Sequence, residues 1–367
     1  MLKIMTAPGK YIQDYNILKN FAGYISEIGS RAYIIGGSTA LAIAEEKIKH
    51  GLKDSQPDLF FKYYSGKGTV NDVKSLASEA TEYSADVIAG IGGGLAIDTA
   101  KAVADSLDLP LVIVPTIAST DAPCSRAALL YTEEHRIDEI ITMKRNPDLV
   151  IVDTKIIAEA PTRFFIAGMG DALATWIEAY TCTLTGAENM VGGLPTAAGL
   201  SIAKLTFDTL MEYGRTAKLA VDSNAVTPAV ELVIEANCLL SSIGFENCGL
   251  GAAHSFGVGI GTLEGTEDRL HGELVGFGVI ADIILENYPE KEIDKIIRFC
   301  IDIGLPVTLA ELGVADSGRD NILKAGKASF GAGAHMQNLA YDVTEENAAD
   351  AIIAADSLGR KYLNMTK

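Results

Sequence analysis

Positive charge is scarce in this sequence. Its 30 lysines and arginines face 48 aspartates and glutamates, a formal net charge of −18, and no basic cluster interrupts the excess. Nucleic acid and anionic membranes are therefore poor partners, because both are bound by neutralising phosphate. The acid itself reads as a solvated surface. Long apolar runs are lacking too: no stretch approaches the roughly 20 residues that cross a bilayer. The N-terminal MLKIMTAPGK has no long apolar segment leading to a cleavage site, so a cytoplasmic protein is the expectation. Cysteines are few and odd in number, Cys124, Cys182, Cys238, Cys248 and Cys300. Their spacing fits neither a CxxC metal knuckle nor a disulfide framework, which points to reduced thiols. Histidine is rarer than its chemistry would suggest. Of five, two sit in AAHSFGVGIGTLEGTEDRLHGE (252–273) among small and apolar neighbours.

What is present describes a large, well-buried globular protein, with 48% hydrophobic residues and a mean hydropathy of +0.21. At 367 residues the chain exceeds the roughly 250–300 at which a single core stops growing, so two domains are expected. The first half alternates between apolar runs ending in glycine and amphipathic stretches. AYIIGGS (32–38), DLFFKYYSG (58–66), DVIAGIGGG (86–94), LPLVIVPT (109–116) and DLVIVDT (148–154) predict strands. TALAIAEEKIKHG, with Gly51 as its stop, VNDVKSLASEATEYSA (70–85) and LAIDTAKAVADSL (95–107) predict helices. RAALLYT and IDEIITM around EEHR predict a hairpin. Strands separated by helices indicate a parallel sheet covered on both faces. After Pro161 helical periodicity dominates, and β-branched strand runs nearly vanish. The expected architecture is an α/β dinucleotide-binding domain over 1–162 and an all-α metal-binding and substrate domain over 163–367, with a small-molecule cleft between them.

GIGGGLAID follows a strand and opens a helix. Gly92, Gly93 and Gly94 let the backbone approach a ligand closely, and a helix N-terminus offers unpaired N–H groups to an anion. A dinucleotide pyrophosphate suits that turn. The spacing departs from GxGxxG, so a tight connection that binds nothing satisfies the same residues. After the next strand, PTIASTDAPCS (115–125) collects Thr116, Ser119, Thr120, Asp121 and Ser125 between prolines. Hydroxyl-rich loops at the carboxyl ends of parallel strands line the ligand crevice of such sheets; an ordinary capped loop, with Asp121 as its N-cap, is the alternative.

AGMGDALATWIEAY (167–180) places Asp171 among glycines and alanines at the start of a helical pattern. A carboxylate there is costly unless it caps, pairs or binds a metal. Asp171, His254 and His271 together make a three-ligand site with a vacant position, the pattern of a catalytic divalent metal. Taken singly, each histidine reads first as a hydrogen-bonded core residue, and spacing alone does not show that the three converge.

The set GIGGGLAIDTAKAVAD, PTIASTDAPCS, GMGDALATWIEAY, AAHSFG and HGE resembles the iron-containing alcohol dehydrogenase superfamily, within it the zinc-dependent glycerol dehydrogenases, over essentially the whole chain from PGKYIQ onward. The resemblance implies a dehydroquinate synthase-like fold. It implies that Asp171, His254 and His271 hold Zn²⁺ and that Gly93 and Gly94 contact the pyrophosphate of NAD or NADP. Thr116, Ser119, Ser125 and Tyr131 would line the cofactor, Asp121 would reach the substrate hydroxyls, and Phe245 is a candidate wall of the substrate cleft. The implied reaction interconverts a small alcohol or polyol and its carbonyl by hydride transfer, and the implied assembly is a homo-oligomer, by family analogy an octamer.

Three positions depart from the family pattern. Where an acid would bind the adenosine ribose stands Gly36-Gly37-Ser38, which removes repulsion toward a 2′-phosphate and leans the cofactor toward NADP, with Gly37 and Ser38 at the site. Leu95 replaces a lysine after the glycines. Gly257-Val258 replaces a His-Asn pair, which favours a less hydroxylated alcohol or a diol over glycerol; loss of the histidine at 258 also goes with zinc rather than iron. A rival with the same scaffold reduces 2-oxo acids with NADPH and needs a cation, for which Arg126 and Lys101 are the candidates. A dehydroquinate synthase-like lyase would need a basic cluster after residue 162, and none is there.

Overall fold

Continuous apolar runs account for most of the sheet. In the computed structural model, which describes residues 1–52, 57–133 and 137–365, six strands pair in one sheet. Their order is β1 (Tyr11–Asp14), β8 (Leu149–Asp153), β5 (Leu111–Pro115), β4 (Val87–Gly92), β2 (Arg31–Gly37) and β3 (Asp58–Tyr64). Every pair is parallel. Alternate residues of the central strands, such as Ile34, Ala89, Val112 and Ile151, pack with Phe21 and Ile25 of α1 (Phe21–Ser26) and Leu41 and Ile48 of α2 (Ser38–Gly51). Residues of the other face, Tyr33, Ile88, Ile113 and Val150, are equally buried. On that side a Cβ on Gly90 would lie 2.6 Å from Ala100 of α4 (Gly94–Leu107). Burial on both faces explains why these strands are apolar throughout rather than alternating.

Two further helices complete the α/β elements, α3 (Val70–Glu82) and α5 (Thr154–Glu159). The hairpin is present as antiparallel β6 (Ala127–Tyr131) and β7 (Ile137–Thr142); the tip expected at EEHR falls largely outside the described residues. Strand β1 was not among the predicted strands, because it is a four-residue edge strand with no fully buried side chain. Gly51 does end α2, but not through a left-handed turn. A Cβ there would lie 1.7 Å from the Lys19 carbonyl oxygen, so close packing requires the glycine.

The second unit is built of helices: α6 (Thr162–Thr185), α7 (Ala197–Val221), α8 (Pro228–Glu235), α9 (Ser241–Cys248), α10 (Ala252–Ile260), α11 (His271–Leu285), α12 (Glu290–Ile303), α13 (Arg319–Ala328) and α14 (Glu345–Met365). A π-helical turn, Ala236–Leu240, joins α8 to α9. The resulting stretch Pro228–Cys248 corrects the expectation about apolar runs: by length and hydropathy alone it could cross a membrane. Its Val230, Val233, Ile234, Ser241 and Ser242 are buried, so its apolarity serves the interior of the helical unit.

A single cut near residue 162 does not describe the chain's start. One compact unit comprises Ala7–Pro161 with Asn224–Val226, and the other comprises Met1–Thr6, Thr162–Ser223 and the chain from Thr227. Main-chain pairing draws the first residues to the helices. Lys3 bridges Leu194, and Thr6 exchanges hydrogen bonds of 2.7 and 2.8 Å with the Asn247 amide. All five cysteines are free and buried.

Candidate metal centre and dinucleotide turn

Asp171 lies wholly buried on α6, His254 occupies the first turn of α10, and His271 is the first residue of α11. Glycines bring these helices together. A Cβ on Gly170 would lie 2.2 Å from the Gly272 carbonyl oxygen, so α6 and α11 touch backbone to backbone beside the aspartate. The Asp171 Oδ1 then stands 3.5 Å from His254 Nε2 and 3.3 Å from His271 Nε2, with the two imidazole centroids 5.6 Å apart.

One ligand atom from each of the three lies within 4.8 Å of the others. Atoms held about 2.1 Å from a four-coordinate ion are spaced roughly 3.4 Å along each tetrahedral edge, so both measured separations fit an ion of that kind. His271 is the open side, with about half of its side chain exposed (49%), while Asp171 and His254 are closed off. Electrostatics agree. Burial alone would raise the Asp171 carboxyl, but the His271 and His254 imidazoles outweigh it and hold the group below the ordinary carboxylate range. Burial would lower His254, but the charges of Glu178 and Asp171 hold it well above the ordinary imidazole value.

Two supporting contacts escaped the sequence reading. Glu178, also buried on α6, accepts the His254 backbone N–H at 2.9 Å and sits 2.7 Å from its ring Nδ1. Arg163 makes a two-pronged ion pair with Glu273, at 2.6 and 2.7 Å, and Glu273 accepts the Leu270 N–H at 2.9 Å, which pins the start of α11 next to His271. The rule that singled out Asp171, a carboxylate in apolar surroundings, applies equally to Glu178 in TWIEAY.

In the α/β unit, β4 ends at Gly92 (φ +151°), and α4 begins one residue after Gly93, with no side chain capping its first turn. The uncapped N–H groups of that turn suit an anion. A Cβ on Gly37 would meet nothing within 4 Å, and one on Gly94 only the Thr120 hydroxyl at 3.9 Å. Gly37, Tyr64, Gly92, Gly93, Gly94 and Leu95 help line a cavity of about 250 Å³. Thr116 and Ser119 are buried at the end of β5, where the Thr116 N–H donates to the Gly92 carbonyl at 3.0 Å. Tyr131 is half-buried. Its N–H donates to Gly68, and burial, with the Asp98 charge second, pushes its phenol up to about 12. Ser38 is exposed at the start of α2.

Lys101 and Ser125 do structural work in the interior. Lys101, a candidate cation for a 2-oxo acid, is entirely buried, and its ammonium donates to the carbonyls of Ala122 (2.7 Å) and Ala127 (2.6 Å) and to the Ser125 hydroxyl (3.2 Å). It ties α4 to the hydroxyl-rich loop, and it is unavailable to a carboxylate substrate. Ser125 is correspondingly interior, held by Lys101 and by its own bond to Ala122. Asp121 stands at the head of the short 3₁₀ turn Ala122–Cys124, but its side chain does not cap it. Phe245 is a buried residue of α9, and Gly257 packs against Val275 of α11.

Comparison with known proteins follows the same lines. The sequence model of iron-containing alcohol dehydrogenase matches residues 8–154. The chain is 40% identical to a glycerol dehydrogenase of Citrobacter freundii, over 99% of this chain and all of that one. It is 37% identical to a glycolaldehyde reductase of Halobacterium salinarum, over 98% of this chain and 99% of that one. The crystal structure of glycerol dehydrogenase from Schizosaccharomyces pombe superposes with a TM-score of 0.95 at 32% identity, covering 99% of this chain and 93% of that one.

Proposed function

The chain belongs to the iron-containing alcohol dehydrogenase family, in its glycerol dehydrogenase-like branch, and from that premise we propose a zinc-dependent, NAD(P)-linked dehydrogenase that interconverts a short diol or glycerol and its carbonyl. It is an alcohol or polyol oxidoreductase; the metal, cofactor preference and substrate are the proposed part. One observation carries the proposal: ligand-type atoms from three helices converge within 4.8 Å, and both imidazoles stand at separations from Asp171 that a four-coordinate ion would set.

When bound, the metal supplies a Lewis acid that favours loss of the hydroxyl proton, and the nicotinamide supplies the hydride acceptor. The chain's own residues prepare that chemistry. Asp171 contributes the negative charge, while His254 and His271 contribute neutral nitrogen ligands. His271 is also the edge from which a small alcohol reaches the centre. By the family resemblance, Asp121 would hydrogen-bond a substrate hydroxyl. The first turn of α4 and Gly93 and Gly94 hold the pyrophosphate, and Thr116, Ser119 and Tyr131 the rest of the cofactor. With Gly36, Gly37 and exposed Ser38 where a carboxylate would oppose a 2′-phosphate, NADP is used at least as well as NAD. Gly257 and Val258 stand where the family pattern has a His-Asn pair, a loss of polarity that suits a diol.

A substrate panel on the zinc-loaded protein tests the reading, following nicotinamide absorbance with glycerol, 1,2-propanediol, simple alcohols and 2-oxo acids. Turnover of diols or glycerol is expected. Turnover confined to 2-oxo acids would overturn it.

A further inference from the structure

We infer that Glu178 is the positioning residue of the metal centre: it holds the His254 ring in the one tautomer and orientation that presents Nε2 to the ion. The inference rests on the metal reading above. Asp171 and Glu178 lie seven residues apart on α6, two turns along one stripe of the helix. The His254 ring spans the gap, with Nε2 toward Asp171 at 3.5 Å and Nδ1 toward Glu178 at 2.7 Å.

An ionised carboxylate only accepts hydrogen bonds. At 2.7 Å, Nδ1 therefore carries the ring proton, and a neutral imidazole keeps its lone pair on Nε2, the atom beside Asp171. The other oxygen of Glu178 accepts the backbone N–H of His254, the third residue of α10 and one of the donors that a helix start leaves without a partner. Main chain and ring are thus fixed by one buried side chain. The residue before α10 makes room for it, since a Cβ on Gly251 would crowd the Glu178 Cγ at 3.2 Å.

Glu178→Gln tests the inference. Glutamine keeps the shape but offers one acceptor and one donor, so it cannot accept from the backbone N–H and from Nδ1–H together. Metal affinity of the stripped protein is read by competition with a chromogenic chelator for zinc. It should fall about 10- to 100-fold, the usual cost of losing such a partner, while NADPH binding stays close to wild type. Unchanged zinc affinity in the variant overturns the positioning role. A wild type that binds no zinc stoichiometrically overturns the metal reading itself, a separate outcome. Should the variant not fold, solid-state NMR of the zinc-loaded wild type labelled with ¹⁵N-histidine decides. A His254 ring protonated at Nδ1 supports the inference, and ligation through Nδ1 contradicts it.

Discussion

Gly170 and Gly272 meet at a distance that no side chain would allow, 2.2 Å from the Cβ position of the first to the carbonyl oxygen of the second. That approach sets His271 beside Asp171. Gly170→Ala should therefore push α6 and α11 apart, with an overpacking cost of about 1–3 kcal/mol or more. At roughly 2–4 °C per kcal/mol, calorimetry should show a loss of several degrees, together with weaker zinc retention. A variant as stable as wild type would mean that the helices have room to spare.

His271→Ala isolates the chemistry from the fold. About half of the side chain is exposed, so the melting temperature should hardly move. Turnover should fall about a thousandfold, the scale of losing several kcal/mol of metal assistance, and dinucleotide affinity by fluorescence titration should be kept. Equal losses of turnover and dinucleotide binding would mean that the two halves of the site are misassigned.

Lys101→Met should act in the opposite sense. It strips donors from Ala122, Ser125 and Ala127 and leaves Asp98, 3.7 Å away, buried without that cation. Breaking a buried pair from one side costs about 3–5 kcal/mol. Denaturant titration should show that loss, and steady-state kinetics a raised KM for the dinucleotide. A stability loss below 1 kcal/mol would contradict the tethering role.

Ser38→Asp restores a carboxylate at the end of β2, next to Gly37. It should lower kcat/KM for NADP at least tenfold, about 1.4 kcal/mol, while sparing NAD. A strong preference for NAD already in the wild type would remove the basis for the lean toward NADP.

Acid should loosen the α/β unit through Asp86. Partial burial works against its charge, but the Ser30 hydroxyl and the N–H groups of Ser30 and Arg31 hold its carboxyl below the ordinary value. A folded-state value below the unfolded one means stabilisation that is present above about pH 4 and lost as the pH falls through the folded value. Melting temperatures should drop between about pH 5 and 3, and Asp86→Asn should flatten that drop. Identical pH profiles would exclude the contact as a source.

Much of this was legible in the residues, for definable reasons. Strands β2, β4, β5 and β8 are buried on both faces, so each shows as an unbroken apolar run, whereas β1 is a half-exposed edge too short for any period to register. Asp171, His254 and His271 stood out because charge and imidazole are rare in such surroundings. Glu178 obeyed the same rule and was passed over, since nothing in its spacing names the ring it serves. Lys101 was misjudged because a sequence does not reveal which way a lysine points, and here three oxygens of the chain itself accept its hydrogen bonds.

Removing and restoring the metal tests the central claim most directly. Protein dialysed exhaustively against a chelator is analysed for metal content and assayed with a diol and NADP, before and after zinc is added. One zinc per chain, with activity lost on stripping and recovered on reloading, is the predicted result. Full activity in metal-free protein would contradict the account.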